Sequence, residues 1–280
     1  MDYIELNIPV ADAARAELLV AELAELPFDS FEEEPGLLKA YIPADLLPDC
    51  KASVDALLAE RGIEGAHYIK VETQNWNAIW ESQFDPVDVE GRLVIRAPFH
   101  APAPGGDFGE IIIMPKMSFG TGHHATTWLM SAEMMDHDLA GKCVLDMGSG
   151  TGVLAILAAK MGAAEVDAVD IDEWAFENAM ENVATNGVAE SVHPIKGDAG
   201  AIRGRRYDVI LANINRNILL ADMPAYVETL NTRGELIVSG ILERDIETIE
   251  RRAIELGLHP AGQRIKEGWA ALSFRMKSVK

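Results

Sequence analysis

The sequence predicts an α/β protein in two parts, a small N-terminal α+β ferredoxin-like unit and a larger Rossmann-like unit built on a parallel sheet. Three observations predict this. Residues 1–74 read in the order β-α-β-β-α-β. From residue 119 onward, apolar strands alternate with helices that stop at glycines. Between the first of those strands and its helix stands the glycine-rich loop Gly148-Ser149-Gly150-Thr151-Gly152. A chain of 280 residues, 49% of them hydrophobic, has room for two domains with ordinary cores.

The first unit follows from its periodicities. Tyr3-Ile4-Glu5-Leu6-Asn7-Ile8 alternates as a half-buried strand does. Residues 11–24 carry Ala14, Leu18, Ala21 and Leu23 at helical spacing, and Pro27 follows. Residues 28–33 and 37–42 read as strands joined across Glu34-Pro35-Gly36, a turn signal. A second helix spans 45–61, with Leu46, Val54, Leu57 and Leu58 apolar, and Gly62 stops it. Residues 67–73 alternate again as a strand.

The segment 75–118 reads as a linker and junction. Trp76 and Trp80 stand four apart, on one face if that stretch is helical, and are expected to pack at the domain junction. Short apolar runs at 93–95 and 111–114 are interrupted by Ala101-Pro102-Ala103-Pro104-Gly105-Gly106, an exposed loop by composition. Residues 119–280 then give strands at 143–146, 166–170, 192–196, 209–212 and 235–239. Helices are expected at 153–161, 173–186 and 244–256, and a closing antiparallel pair at 258–265 and 269–276.

Charge narrows the function. The formal net charge is −21, and residues 1–74 hold sixteen acids against five bases. Proteins that grip nucleic acid neutralise phosphates with Lys and Arg, so direct nucleic-acid binding is not expected. The field instead favours a basic partner. Cys50 and Cys143 make neither a disulfide framework nor a zinc-ligand pattern, and Cys143, inside an apolar run, is expected to be buried. The longest apolar stretch, 153–159, is far too short to span a bilayer. No basic start with an apolar core is visible, so a cytoplasmic protein is expected.

The loop carries the chemistry. A dinucleotide fingerprint requires G-x-G-x-x-G, with pyrophosphate on the helix start. Gly148 and Gly150 fit, but Val153 occupies the third glycine's place. The pattern is D-x-G-x-G-x-G, and Asp146 before the glycines is awkward for a pyrophosphate. It suits a ligand carrying an ammonium and a sulfonium, as S-adenosylmethionine does. Asp170 ends the second strand, where an acid can accept hydrogen bonds from ribose hydroxyls; it would serve NAD equally well. Asp172 can cap the next helix. Asp198, after the third strand, can read the adenine amino group or simply shape a turn.

The fourth strand ends Leu211-Ala212-Asn213-Ile214-Asn215. Ligands in such sheets sit at the carboxyl ends of the strands, which puts Asn213 beside the glycine loop. An amide oxygen there, with a neighbouring backbone carbonyl, can accept the N–H groups of an amine and aim its lone pair. A carboxylate would instead hold the amine as ammonium. The alternative is that Asn213 caps the following helix.

The run Phe119-Gly120-Thr121-Gly122-His123-His124-Ala125-Thr126-Thr127, with Asp146-Met147-Gly148-Ser149-Gly150, Asp170-Ile171-Asp172 and Ala212-Asn213-Ile214, resembles the ribosomal protein L11 methyltransferase family (PrmA-type). The acidic first domain, Trp76-Asn77-Ala78-Ile79-Trp80 and Ser239-Gly240-Ile241-Leu242 are also similar, so the resemblance covers essentially the whole chain. It implies a class I (Rossmann-like) methyltransferase domain at 119–280, a linker at 75–118 and a ferredoxin-like substrate-recognition domain at 1–74. The implied activity is that of a protein-lysine N-methyltransferase. Methyl groups pass from S-adenosyl-L-methionine to lysine ε-amines and the N-terminal α-amine of a basic large-subunit ribosomal protein. Implied cofactor contacts fall on Thr127, Gly148, Asp170 and Asn213, with Phe119 walling the pocket; Asp146 and Gly150 join them from the loop reading. Asn213 is the catalytic candidate. His124 matches the family pattern, His123 departs from it, and no metal is expected.

Three other readings stay open at this stage. One is a methyltransferase acting on a nucleic-acid base or a small-molecule amine. Base methylators often place prolines and a stacking aromatic after the asparagine, whereas Ile214-Asn215-Arg216 follows here. The others are an NAD-dependent oxidoreductase, disfavoured at Val153, and a non-catalytic adaptor for a ribosomal protein.

Overall fold

A computed structural model describes residues 3–71, 84–103, 106–116 and 118–276. The chain divides into two compact units, Met1–Gln83 and Phe84–Lys280. Trp76 and Trp80 lie outside the described residues.

In the first unit, β1 (Tyr3–Pro9), α1 (Ala13–Leu23), β2 (Ser30–Glu34), β3 (Leu37–Pro43), α2 (Leu47–Glu60) and β4 (His67–Val71) follow in that order. The sheet order is β2-β3-β1-β4, and every pair is antiparallel. Asp12 starts α1 by accepting a 2.9 Å bond from the Arg15 N–H, the side-chain cap that an exposed helix start requires. Leu19, Leu23, Val54 and Leu58 from the helices form one core with Leu6, Ile8, Leu38, Ala40 and Ile42 from the sheet. Strand alternation puts the last five on one face.

The second unit opens with a small sheet of β5 (Val87–Val89), β6 (Leu93–Arg96) and β7 (Glu110–Ile112). Then come α3 (Ala125–Met134), β8 (Cys143–Met147), α4 (Val153–Lys160), β9 (Glu165–Asp170), α5 (Glu173–Thr185), β10 (Val192–Lys196), β11 (Tyr207–Asn213), α6 (Arg216–Thr229), β12 (Leu230–Leu242), α7 (Ile246–Glu255), β13 (Leu258–Lys266) and β14 (Trp269–Met276). The main sheet runs β10-β9-β8-β11-β12-β14-β13, parallel through β12. Strands β14 and β13 close it antiparallel. Chain order reverses between β8 and β11, which is where a ligand crevice forms in such sheets.

Residues assigned from sequence to the junction build part of this unit's core. Val89, Leu93, Ile95, Ile111 and Ile113 are buried together with Met130, Leu154 and Ile156. Asn182 of α5 and Asn186, its C-cap, tie the β7 segment to that helix. Asn186 exchanges bonds with Ile112, its Oδ1 accepting at 2.9 Å and its Nδ2 donating at 2.7 Å. Asn182 accepts from the Met114 N–H and donates to the Thr151 carbonyl, both at 2.9 Å. Cys143 is part-exposed rather than buried, because it opens β8 at the sheet's N-terminal edge; Cys50 is buried.

Candidate functional site

Register aligns the strand tips. Met147 pairs with Val169 and with Ala212, Asp170 with Lys196, and Asn213 with Ser239. Gly148, Asp170, Gly197 and Asn213 therefore meet at one edge of the sheet. There they line a cavity of about 590 Å³, with Phe119, Ile214, Trp174, Asp198, Asp222 and Tyr226 also among its walls. That volume lies in the usual range for small-molecule sites.

The glycine loop lets the backbone form this wall. Gly148 and Gly150 have φ of +73° and +54°, where a side chain is strained. A Cβ on Gly150 would meet the Phe119 carbonyl oxygen, and one on Gly148 would meet the Ile214 side chain. The Phe119-Gly120-Thr121-Gly122 segment is tied to the same loop. Thr151 N–H donates to the Phe119 carbonyl at 2.9 Å, and its hydroxyl donates to the Gly120 carbonyl at 2.7 Å. That pairing holds Phe119, 52% exposed, at the cavity wall.

Five residues singled out in the sequence thus come together: Phe119, Gly148, Gly150, Asp170 and Asn213. Two do not join the lining. Asp146 is 1% exposed, and its Oδ2 accepts from the Ala155 N–H at 3.1 Å. Side chains alternate along a strand: Leu145 and Met147 face the core under α6, so Asp146 turns the other way, toward α4. Burial pushes its carboxyl up to about 7, Ala155 opposes that, and the Asp170 charge adds to it. Thr127 is fully buried in the first turn of α3.

Asp170 is fixed by the backbone, its Oδ2 accepting from Gly150 at 2.8 Å and its Oδ1 from Asp172 at 3.0 Å. Each oxygen keeps a lone pair for a ligand hydroxyl. Asp172 caps α5, accepting from the Trp174 N–H at 2.7 Å. Asp198 both lines the cavity and accepts from the Gly200 N–H at 2.7 Å.

Asn213 does not cap the next helix. Asn215 does, accepting from the Ile218 N–H at 3.1 Å. Asn213 is left with a buried Oδ1 that has no hydrogen-bond partner, and so are Asp146 Oδ1, Ser149 Oγ and Thr127 Oγ1. Buried acceptors without partners are costly, and those of Asp146, Ser149 and Asn213 belong to the glycine loop and the strands flanking it. A cradle that a Cβ would fill, a carboxylate at the second strand tip and unpaired acceptors beside them fit a cationic nucleoside cofactor.

The two histidines are structural. His124 caps α3, its Nδ1 receiving the Thr126 N–H at 3.3 Å, and packs edge-on against Phe119 and Trp269. His123 Nε2 meets the Asp85 carbonyl at 2.8 Å, and its ring lies 4.3 Å from that of Phe84. Among the described residues no group of three or more His, Cys, Asp or Glu could hold a metal. Sequence reasoning missed Asp222, Tyr226 and Trp174. The first two sit mid-helix, where nothing local marks them; the exposed Trp174, in the first turn after the acidic strand tip, was the one available signal.

Comparison with known proteins gives concordant findings. A family model described as ribosomal protein L11 methyltransferase (PrmA) matches residues 22–277. The ribosomal protein L11 methyltransferase of Porphyromonas gingivalis is 45% identical over 270 residues, 94% of this chain and 92% of its own length. That of Phocaeicola vulgatus is 42% identical over 285 residues, 99% of this chain and 100% of its own. A crystal structure of ribosomal protein L11 methylase from Lactobacillus delbrueckii subsp. bulgaricus superposes with a TM-score of 0.64 at 30% identity. It covers 69% of this chain and 99% of that one.

Proposed function

Because this chain belongs to the ribosomal protein L11 methyltransferase family, S-adenosylmethionine-dependent enzymes, we propose that it methylates ribosomal protein L11 at lysine ε-amines and the N-terminal α-amine. The observation that carries the chemistry is the unpartnered Oδ1 of Asn213 at the tip of β11, level with the glycine loop.

S-adenosylmethionine, when bound, supplies an electrophilic methyl on a sulfonium that leaves readily. Gly148 and Gly150 let the backbone approach it, and Asp170 holds the ribose hydroxyls through its remaining lone pairs. Phe119 covers one side. Thr127 and Asp146 supply polar atoms from behind the loop. The protein's remaining task is to position the nucleophile. Asn213 Oδ1 and an adjacent backbone carbonyl accept the amine's N–H groups and leave its lone pair aimed outward. A lysine with a pKa of about 10.4 must shed a proton first, whereas an α-amine near 7.7 is already neutral in a substantial fraction of molecules near neutral pH. A neutral amide suits both, because it does not stabilise the ammonium as a carboxylate would.

Substrate choice follows from charge. With a net charge of −21, the chain attracts a basic protein and repels free phosphate backbone. The acidic first unit is the recognition element for that partner. No helix among the described residues is long and apolar enough to cross a membrane, and the cytoplasm, where ribosomal proteins are made, is the expected compartment.

The test is mass spectrometry after incubation with labelled S-adenosylmethionine and either total ribosomal proteins or ribosomal RNA. Label on L11, at lysines and the N-terminus, is the expected result. Label on RNA alone would overturn the substrate while leaving the cofactor in place.

A further inference from the structure

The structure assigns Asp222 and Tyr226 of α6 to reading the amino edge of the adenine ring, an assignment that rests on the cavity holding S-adenosylmethionine. Both residues, one helical turn apart, line the same cavity as Asp170 and Asn213. Tyr226 is 0% exposed, and its hydroxyl lies beside the Asp222 carboxylate without completing a well-formed hydrogen bond there. A buried tyrosine normally pairs its hydroxyl fully, so a ligand between Asp222 and Tyr226 would complete what the protein leaves unfinished.

Position identifies which part of the ligand lies there. Asn213 and Gly148 mark the methyl-transfer end, and Asp170 at the tip of β9 marks the ribose. The next tip belongs to β10, whose Lys196 pairs with Asp170 and is followed by Gly197 and Asp198. The base therefore lies beyond Asp170, toward Asp198. Tyr226 packs in one apolar cluster with Ala199, beside Asp198. Burial holds the Asp222 carboxyl above the ordinary range, the Tyr226 hydroxyl opposes this, and Asp222 is near enough to Asp198 for their charges to add to the burial effect.

Two carboxylates and a hydroxyl at one end of a cavity ask for a specific partner. A 6-aminopurine edge offers two N–H donors on one nitrogen, flanked by ring nitrogens that accept. The carboxylates take the donors, and the Tyr226 hydroxyl donates to a ring nitrogen. A 6-oxopurine presents an oxygen where the amine was, and that oxygen faces the two acids with no hydrogen to give. Sites built from buried hydrogen-bonding groups reject such analogues strongly, because their own groups are left unpaired.

Titration calorimetry of the full chain with S-adenosylhomocysteine and its 6-oxo counterpart, S-inosylhomocysteine, tests this. The unaltered protein should prefer the amino ligand by about 100-fold or more. Asp222→Asn, which offers the 6-oxygen a donor, should cut that preference by about tenfold, partly through tighter binding of the oxo ligand. Tyr226→Phe keeps the buried ring and should weaken the amino ligand by about tenfold, with its melting temperature in the absence of ligand unchanged. An unaltered preference in Asp222→Asn, or unaltered affinity in Tyr226→Phe, overturns the assignment. Should Asp222→Asn fail to fold, Tyr226→Phe decides alone. If the unaltered protein binds neither ligand, the cofactor reading of the cavity falls, and the assignment with it.

Discussion

His137, just beyond α3, should make stability depend on pH in one direction over a defined window. Its Nδ1 bonds the Glu235 carboxylate, and its Nε2 lies 3.3 Å from Glu133 Oε1. The three side chains are 9%, 12% and 9% exposed for His137, Glu235 and Glu133. Arg264 reaches Glu133 at 3.0 Å and Arg275 reaches Glu235 at 3.1 Å, so the cluster ties α3 to β12, β13 and β14. The two carboxylates raise the His137 pKa from the usual 6.5 to about 9, against the opposing effect of burial. A folded value above the unfolded one means the charged imidazole favours folding below 6.5, and the contribution disappears as pH rises through 9. That difference corresponds to about 3 kcal/mol at pH 6, about 2 kcal/mol at pH 7.5 and a few tenths of a kcal/mol at pH 9.5. The Glu133 and Glu235 pKa values are held below 4.5, chiefly by their bonds to His137, so their contribution is present above 4.5 and fades as pH falls through the depressed values. The perturbation is His137→Gln, which keeps a hydrogen-bonding amide and removes the charge. Urea unfolding of both proteins, followed by tryptophan fluorescence at pH 6 and pH 9.5, should show a cost about 3 kcal/mol larger at pH 6. An equal cost at the two pH values would mean that His137 is neutral in the fold, and would refute the reasoning.

Other perturbations separate the roles within the site. Asp170→Ala removes a carboxylate placed for two ribose hydroxyls and should weaken S-adenosylhomocysteine by about 100-fold, whereas Asn213→Ala should slow methyl transfer with cofactor affinity changed by less than about threefold. Equal losses of cofactor affinity in calorimetry would sink that division. Gly150→Ala forces a Cβ onto the Phe119 carbonyl at a positive φ and should cost about 1–2 kcal/mol in a thermal melt, from the backbone alone, besides weakening the cofactor. The Asp146 carboxyl, pushed up to about 7 from 3.8, disfavours folding as pH rises above 3.8, by up to about 4 kcal/mol once pH exceeds 7. Asp146→Asn should therefore raise the melting temperature of the ligand-free protein at pH 8 and change it little at pH 4; a lower melting temperature at pH 8 would contradict a buried, uncompensated charge.

Much of this arrangement was legible because it is local. Period-two alternation marked β1 and β4, the turn signal Glu34-Pro35-Gly36 marked β2 and β3, and glycines ended the helices at Gly62, Gly162, Gly187 and Gly257. The spacing of Asp146, Gly148 and Gly150, with an acid closing the next strand, marked a nucleoside site without any contact being known. What stayed hidden depends on partners far apart in sequence. Nothing near Asn182 and Asn186 announces that their amides hold Met114 and Ile112, some seventy residues earlier. As a result, residues 75–118 read as a junction, although Val89, Leu93, Ile95, Ile111 and Ile113 enter the core of the second unit. The charged cluster of Glu133, His137, Glu235, Arg264 and Arg275 draws on four elements, and only the Glu133–His137 spacing of four hints at it.

Asp146 shows where a correct motif still leaves geometry undecided. The motif places a carboxylate before the glycines, and the ligand chemistry asks for an anion near a sulfonium and an ammonium. Strand alternation then sends that side chain to the face opposite Met147, under the start of α4, where Ala155 takes one oxygen. Asp170, in the last ladder pair of the next strand, has no strand residue after it: the chain turns there, and its carboxylate lies open to the cavity. Asn213 ends β11 in the same way and also opens to the cavity, one residue past the pairing of Ala212 with Met147. Residues inside the strands are covered by the helices they face, and those at the tips open to the cavity instead. In this fold, direct contact with a ligand falls to the tips, and the buried acid behind them acts through the loop it anchors.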